Sequence, residues 1–124
     1  MDSDEKVVAR ARSRITMLPA TARAIAANEM KKGDVLGAAR FAGVQAAKAA
    51  HAYLPIAEST LVAGVTVALD VGDNFVDVRT SVESTHGPAS TPAICAATVA
   101  LLTVYDMCKS VDRTMVIGPV LLVT

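Results

Sequence analysis

Near the start of the chain arginines alternate with small or apolar residues. Arg10, Arg12 and Arg14 fall on one side of a period of two, and Ala9, Ala11, Ser13 and Ile15 fall on the other. That period predicts a half-buried strand from Lys6 to Ile15. A short helix is expected from about Pro19 to Ala27, because Pro suits the first helical turn and the Ala-rich run has high helix propensity, with Asn28 able to end it. Lys31-Lys32-Gly33-Asp34 reads as a turn into a longer helix whose first N–H groups Asp34 can cap. Val35, Ala38, Ala39, Ala42, Ala46, Ala49, Ala50 and Tyr53 recur at helical spacing, giving a stripe of mostly small residues that Pro55 closes.

Two Val-rich segments follow, Leu61 to Val71 and Phe75 to Ser84, separated by Gly72-Asp73-Asn74, and this composition predicts a hairpin. A polar loop is expected from Thr85 to Ser90. Thr91-Pro92 then resembles an N-cap with Pro at the first helical position, opening an apolar helix to about Val111 that should be buried on most sides. Val116 to Val123 reads as a closing strand with a bend at Gly118-Pro119, which suits an edge. The order strand, two helices, two strands, helix, strand describes an α+β sandwich of the split βαβ kind. A four-stranded antiparallel sheet with helices on one face is the expected architecture.

Composition adds a constraint on assembly. The 124 residues fit one domain, 1–124, and 52% hydrophobic against 19% charged residues excludes a disordered chain. Ala and Val supply 23 and 17 residues, whereas Trp is absent and Phe and Tyr number two each. Without large aromatic anchors the core is thin, and subunit contacts are expected to complete it. Twelve basic residues balance twelve acidic ones. This neutrality, with so few aromatics, argues against a nucleic-acid partner. The charged N-terminus and short apolar runs predict neither a signal peptide nor a membrane span, hence a cytoplasmic protein. Cys95 and Cys108 lie roughly 20 Å apart if both sit on one helix, too far to pair within a subunit.

Among residues that could carry chemistry, Asp106 and Lys109 stand out. Three-residue spacing puts them on one helical face at the end of an apolar run, where a desolvated Lys beside a carboxylate can exchange protons. An exposed ion pair near a helix C-terminus explains the same spacing. Lys32, before a helix N-terminus, is a candidate anion contact, and a solvated turn is the alternative. Arg40 and Lys48 share a face of the second helix. His51 and His86 have no metal-ligand spacing with the cysteines, so no metal is expected, and Ser90 and Thr91 read as caps rather than nucleophiles. No glycine-rich phosphate loop or dinucleotide fingerprint is present, and no cofactor is expected.

Two stretches resemble a known family. Lys32-Gly33-Asp34-Val35, continued by Ala39-Arg40-Phe41-Ala42-Gly43-Val44-Gln45-Ala46-Ala47-Lys48, is similar to the helical signature of molybdenum cofactor biosynthesis protein C, the cyclic pyranopterin monophosphate synthase. Thr103-Val104-Tyr105-Asp106-Met107-Cys108-Lys109, with Met115 to Val120 behind it, is similar to that family's second signature. The resemblance runs from about Arg10 to Leu122. It implies a ferredoxin-like sandwich assembled into dimers or a hexamer, with sites shared between subunits. It also implies a lyase or cyclase reaction on a small-molecule substrate derived from GTP, with loss of pyrophosphate. In that frame Asp106 and Lys109 match the acid–base pair, and Lys32 matches a substrate-contacting lysine, with Arg40 and Lys48 as further candidates.

The departures fall on the family's substrate contacts. Where the family carries Leu-Cys-His-Pro-Leu, this chain has Ile56-Ala57-Glu58-Ser59-Thr60, so Glu58 replaces a histidine. Ser90 and Pro92 stand at two positions that the family fills with glutamate. A carboxylate at Glu58 repels a polyanion by several kcal/mol if the site is dry, or roughly one if it is wet. Two readings follow, with the family's own reaction as a third, since the scaffold signatures are otherwise intact. One is a diverged enzyme that keeps Asp106 and Lys109, with Glu58 as a new acid or base. The other is an inactive paralogue that serves as a structural or interaction subunit.

Overall fold

The computed structural model describes residues 6–54 and 60–124. Strand β1, Val7–Thr16, buries Ala11, Ser13 and Ile15 and exposes the alternate arginines, as its period requires. Helix α1, Pro19–Ala26, starts on proline. The turn after it passes through Asn28, at φ 56°, a left-handed conformation that Asn tolerates better than most residues. Helix α2, Val35–Lys48, is capped as expected, with the Gly37 N–H donating to Asp34 Oδ1 at 3.0 Å. The expected single helix to Tyr53 breaks at Ala49 (φ −107°, ψ 13°), and one further turn, α3, covers Ala50–Tyr53. The side chain of Ala49 does nothing to dictate that break, and Pro55 lies outside the described residues.

Strands β2, Leu61–Val71, and β3, Phe75–His86, form the hairpin, closed by the Gly72 N–H donating to Phe75 O at 2.8 Å. β3 runs two residues further than its expected end, because Ser84 and His86 still pair with β2 across a bulged register. Helix α4, Ser90–Cys108, begins one residue before the expected cap: Thr91 is already inside the helix, and Ala89 precedes it without a side-chain cap. It stops at Cys108 rather than Val111. There the carbonyl of Cys108 accepts from both Val111 and Asp112, a tightened last turn.

The closing strand is two short ones, β4, Val116–Ile117, and β5, Leu121–Val123, both antiparallel to β1. Gly118, at φ +116°, supplies the left-handed bend between them, and Pro119 contributes no N–H to a ladder. The antiparallel sheet therefore has five strands instead of four, in the order β2-β3-β1-β4, with β5 beside β4 along β1. This is the ferredoxin-like arrangement.

The helices lie on one face of the sheet. Ile15, Val76, Val78, Val82, Leu101 and Val104 make the centre of the core, each at most 1% exposed. α2 and α4 pack against each other on that layer through small residues: a Cβ added at Gly43 would stand 3.0 Å from Ala96 O and 3.3 Å from Ala100 Cβ. α4 is long and apolar enough, by length and composition alone, to cross a membrane. Eight of its residues are buried in this core, which accounts for that apolarity. The opposite face of the sheet carries the charged partners of the alternation. Arg14 donates to Asp77 at 2.6 and 3.0 Å and lies over the Phe75 ring, and Arg79 donates to Asp70 at 2.8 Å.

Candidate functional site

The last turn of α4 presents Asp106 and Lys109 side by side. Lys109 Nζ donates to Asp106 Oδ1 at 2.8 Å, the i,i+3 contact that the helix imposes. A third group comes from 74 residues away in sequence. Lys32 Nζ donates to the main-chain oxygen of Asp106 at 3.4 Å. The turn after α1 places it there, held by the Gly33 N–H donating to Met30 O at 3.1 Å. Two ammonium groups thus meet at Asp106, one on its carboxylate and one on its main-chain oxygen, at the open end of the helix layer.

The electrostatics of this cluster favour charge on both members of the pair. The Lys109 hydrogen bond and charge, with a smaller contribution from Lys32, hold the Asp106 carboxyl below its ordinary range. The same hydrogen bond and the Asp106 charge hold the Lys109 ammonium above its ordinary range. Lys109 is therefore an ammonium and Asp106 a carboxylate at neutral pH, each holding its charge more firmly than the free group. Beside the cluster runs a groove of about 550 Å³, walled by Leu18, Thr21, Met30, Lys32, Met107 and Val111.

The other residues singled out in the sequence stand elsewhere. Arg40 reaches across to the edge of the sheet, where its Nε donates to Val67 O at 3.3 Å. Lys48 lies at the far end of α2, beside a small cleft of about 50 Å³ with His51, Thr60, Pro88, Thr91 and Pro92. That cleft is at the start of α4. Asp106 is fourteen residues further along the helix than Pro92, roughly 21 Å at the usual rise. Glu58 lies outside the described residues; Thr60, which follows its segment, donates through Oγ1 to Pro88 O at 3.0 Å, also at the start of α4. The structure thus brings Lys32, Asp106 and Lys109 together and sets Arg40 and Lys48 apart from them.

One residue next to the cluster went unmarked in the sequence. Asp112, 2% exposed, is the only buried charged side chain among the described residues. Its Oδ2 accepts from Leu18 N at 2.9 Å and Thr21 Oγ1 at 2.7 Å, while Oδ1 accepts from Thr114 N at 2.8 Å and Thr114 Oγ1 at 2.7 Å. The spacing Asp-x-Thr after a helix end is the available signal, since Asp commonly accepts from the N–H two residues on. Cys108, also buried, has its thiol pushed up to about 11, mainly by desolvation, and is poorly suited to act as a nucleophile. Among the described residues no group of three His, Cys, Asp or Glu side chains is placed to hold a metal ion.

Comparison with known proteins identifies the family. The sequence pattern that defines the MoaC family matches residues 2–124. The chain is 42% identical over 116 residues to a cyclic pyranopterin monophosphate synthase of Roseiflexus sp. (strain RS-1), covering 91% of this chain and 73% of that one. It is 44% identical over 110 residues to the enzyme of the same name from Methylobacterium nodulans, covering 86% and 69%. A molybdenum cofactor biosynthesis bifunctional protein of Chlorobaculum tepidum is 38% identical over 113 residues, which make up 89% of this chain and 36% of that protein. The chain belongs to the MoaC family.

Proposed function

We propose that the chain is a lyase or cyclase of the cyclic pyranopterin monophosphate synthase type, acting in the cytoplasm on a small molecule less anionic than the family substrate. The convergence of Lys32, Asp106 and Lys109 at the end of α4 carries this reading. Lys109 donates a proton to a departing or carbonyl oxygen, Asp106 accepts one, and Lys32 holds an anionic group of the substrate. Covering the cluster would desolvate it and bring the lysine toward the neutral range where proton transfer is efficient.

Glu58, Ser90 and Pro92 support the altered substrate, since they stand where the family uses one histidine and two glutamates. The test is a direct assay for the cyclic phosphate product, with the Roseiflexus relative as control. This chain is expected to be much slower, and Glu58→His to be about fivefold faster than wild type, the return on roughly 1 kcal/mol of relieved repulsion. Turnover equal to the control would show that the substrate is the family's own.

The position of the clefts supports a homo-oligomer, a dimer or hexamer, with sites shared between subunits. Lys32, Asp106 and Lys109 occupy one end of α4; Ser90, Pro92 and Thr60 occupy the other. Both sets can serve one substrate only if a second subunit brings its opposite end. A stripe along the outside of α4, Ile94, Thr98, Leu102 and Tyr105, is exposed and largely apolar. Light scattering at micromolar concentration should give a multiple of 12.8 kDa. A stable monomer would rule out a shared site.

One observation favours the inactive paralogue instead. The Asp106–Lys109 pair is mostly exposed, at 63% and 51% of each side chain, and each member strengthens the charge of the other. An ion pair with no catalytic duty has the same form. Complete absence of turnover in the assay, with any ligand binding undiminished in Lys109→Ala, would favour that reading.

A further inference from the structure

Asp112 lies three residues beyond Lys109, and it joins the two segments from which the cluster is built. On one side its own N–H donates to Cys108 O at 3.1 Å, in the last turn of the helix that carries Asp106 and Lys109. On the other, its carboxylate takes the Leu18 N–H and the Thr21 hydroxyl in the first turn of α1. α1 has no cap from its own N-cap side chain, and this distant carboxylate sits at the positive end of the helix, bonded to the N-cap N–H and to the Thr21 hydroxyl. From α1 the chain reaches Lys32 through a run of bonded turns: Asn28 N to Ile25 O at 3.1 Å, Glu29 N to Ala24 O at 2.9 Å, and Gly33 N to Met30 O at 3.1 Å. Lys32 is thus tied to the end of α4 from one side through this clasp and from the other through α2, which packs along α4.

We propose that Asp112 is a positioning residue for the site: by closing on donors from both segments it holds α1 against the end of α4 and so keeps Lys32 beside Asp106. The inference rests on the reading of the cluster given above, and it assigns Asp112 no contact with substrate. Its alternative is a residue that stabilises the fold without affecting where Lys32 sits.

The sign of one measurement separates the two. The titration midpoint of the Asp106 carboxyl, followed by carbon-13 NMR, reads whether Lys32 is near. Lys32→Ala should raise that midpoint, because a neighbouring cation is removed. Removing the Asp112 charge directly should lower it, because a like charge is removed. If Asp112→Asn instead releases Lys32, the midpoint should rise, and the double variant with Lys32→Ala should rise no further than Lys32→Ala alone.

Thr21→Val deletes the side-chain bond on the α1 side of the clasp, leaves the Leu18 N–H bond, and changes no charge. It should raise the midpoint too, and it serves if Asp112→Asn does not fold. A rise with Lys32→Ala but none with Thr21→Val, where no lost charge offsets the effect, would overturn the positioning role and leave the cluster intact. No change with Lys32→Ala would show that Lys32 does not face Asp106, and both the cluster reading and this inference would fall.

Discussion

Asp112→Ala is expected to destabilise the fold by about 3 kcal/mol, because the buried Thr21 hydroxyl is left without an acceptor, at roughly 1–3 kcal/mol, and the part-buried Leu18 and Thr114 N–H groups lose charge-assisted bonds. The melting temperature should fall by about 10 °C. A pH dependence accompanies it. Burial alone would raise the Asp112 carboxyl, but the hydrogen bonds from Thr114, Leu18 and Thr21 outweigh it and hold the group at about 2, below its ordinary 3.8. A carboxyl depressed on folding stabilises the native state above its unfolded value and loses that contribution as pH falls through the folded one. About 2 kcal/mol should therefore be present above pH 4 and disappear between about 4 and 2. Urea unfolding across that range checks it. A variant whose stability runs parallel to wild type from pH 7 to 2 would show that the carboxylate contributes nothing through its charge.

The second large effect concerns Lys109. Because its side chain is half exposed and its one polar contact is the surface pair with Asp106, Lys109→Ala should leave the melting temperature and the assembly state nearly unchanged. Turnover should nevertheless drop by ~10²-fold or more, the usual worth of a general acid–base group. Lys109→Arg sharpens the test. Arg keeps the positive charge and the contact with Asp106 but does not release its proton near neutral pH, so it should restore binding of an anionic ligand while leaving turnover low. Equal recovery of both would mean that Lys109 contributes charge alone. These rates are best read with enzyme in excess over substrate, where a slow step is still resolved.

Local patterns carried much of the fold. The Arg/Ala alternation of β1, the Gly72-Asp73-Asn74 turn and the Asp34 cap all act within a few residues, and each lies where its chemistry placed it. The departures have a different origin. β3 lengthens because β2 offers a partner for His86 across a bulge, a tertiary effect that composition does not record. The closing strand divides at Gly118, where the bend was visible but the loss of pairing around it was not. In the candidate site, i,i+3 spacing was enough to pair Asp106 with Lys109. Lys32 is 74 positions from Asp106, so only tertiary packing, with α2 laid along α4, could show that they meet. The same packing separates Lys48 from them, though both lysines belong to one signature stretch. Asp112 escaped notice because a single acidic residue among Val111 and Arg113 looks like surface until Leu18 and Thr21 are seen to reach it.

The seam between α2 and α4 bears on how this protein can change over generations. Gly43, Ala96 and Ala100 meet there with almost no side chain between the two backbones. In most cores the common injury is truncation, which opens a void, but residues this small have little left to remove. Growth is the hazardous direction, since each added methylene must push two helices apart. The ends of both helices ride on that seam, with Lys32 before α2 and Asp106 near the end of α4. Substitutions that enlarge the seam would therefore be selected against through the geometry of the site as well as through stability, leaving the outer faces and the loops as the places where sequence can drift.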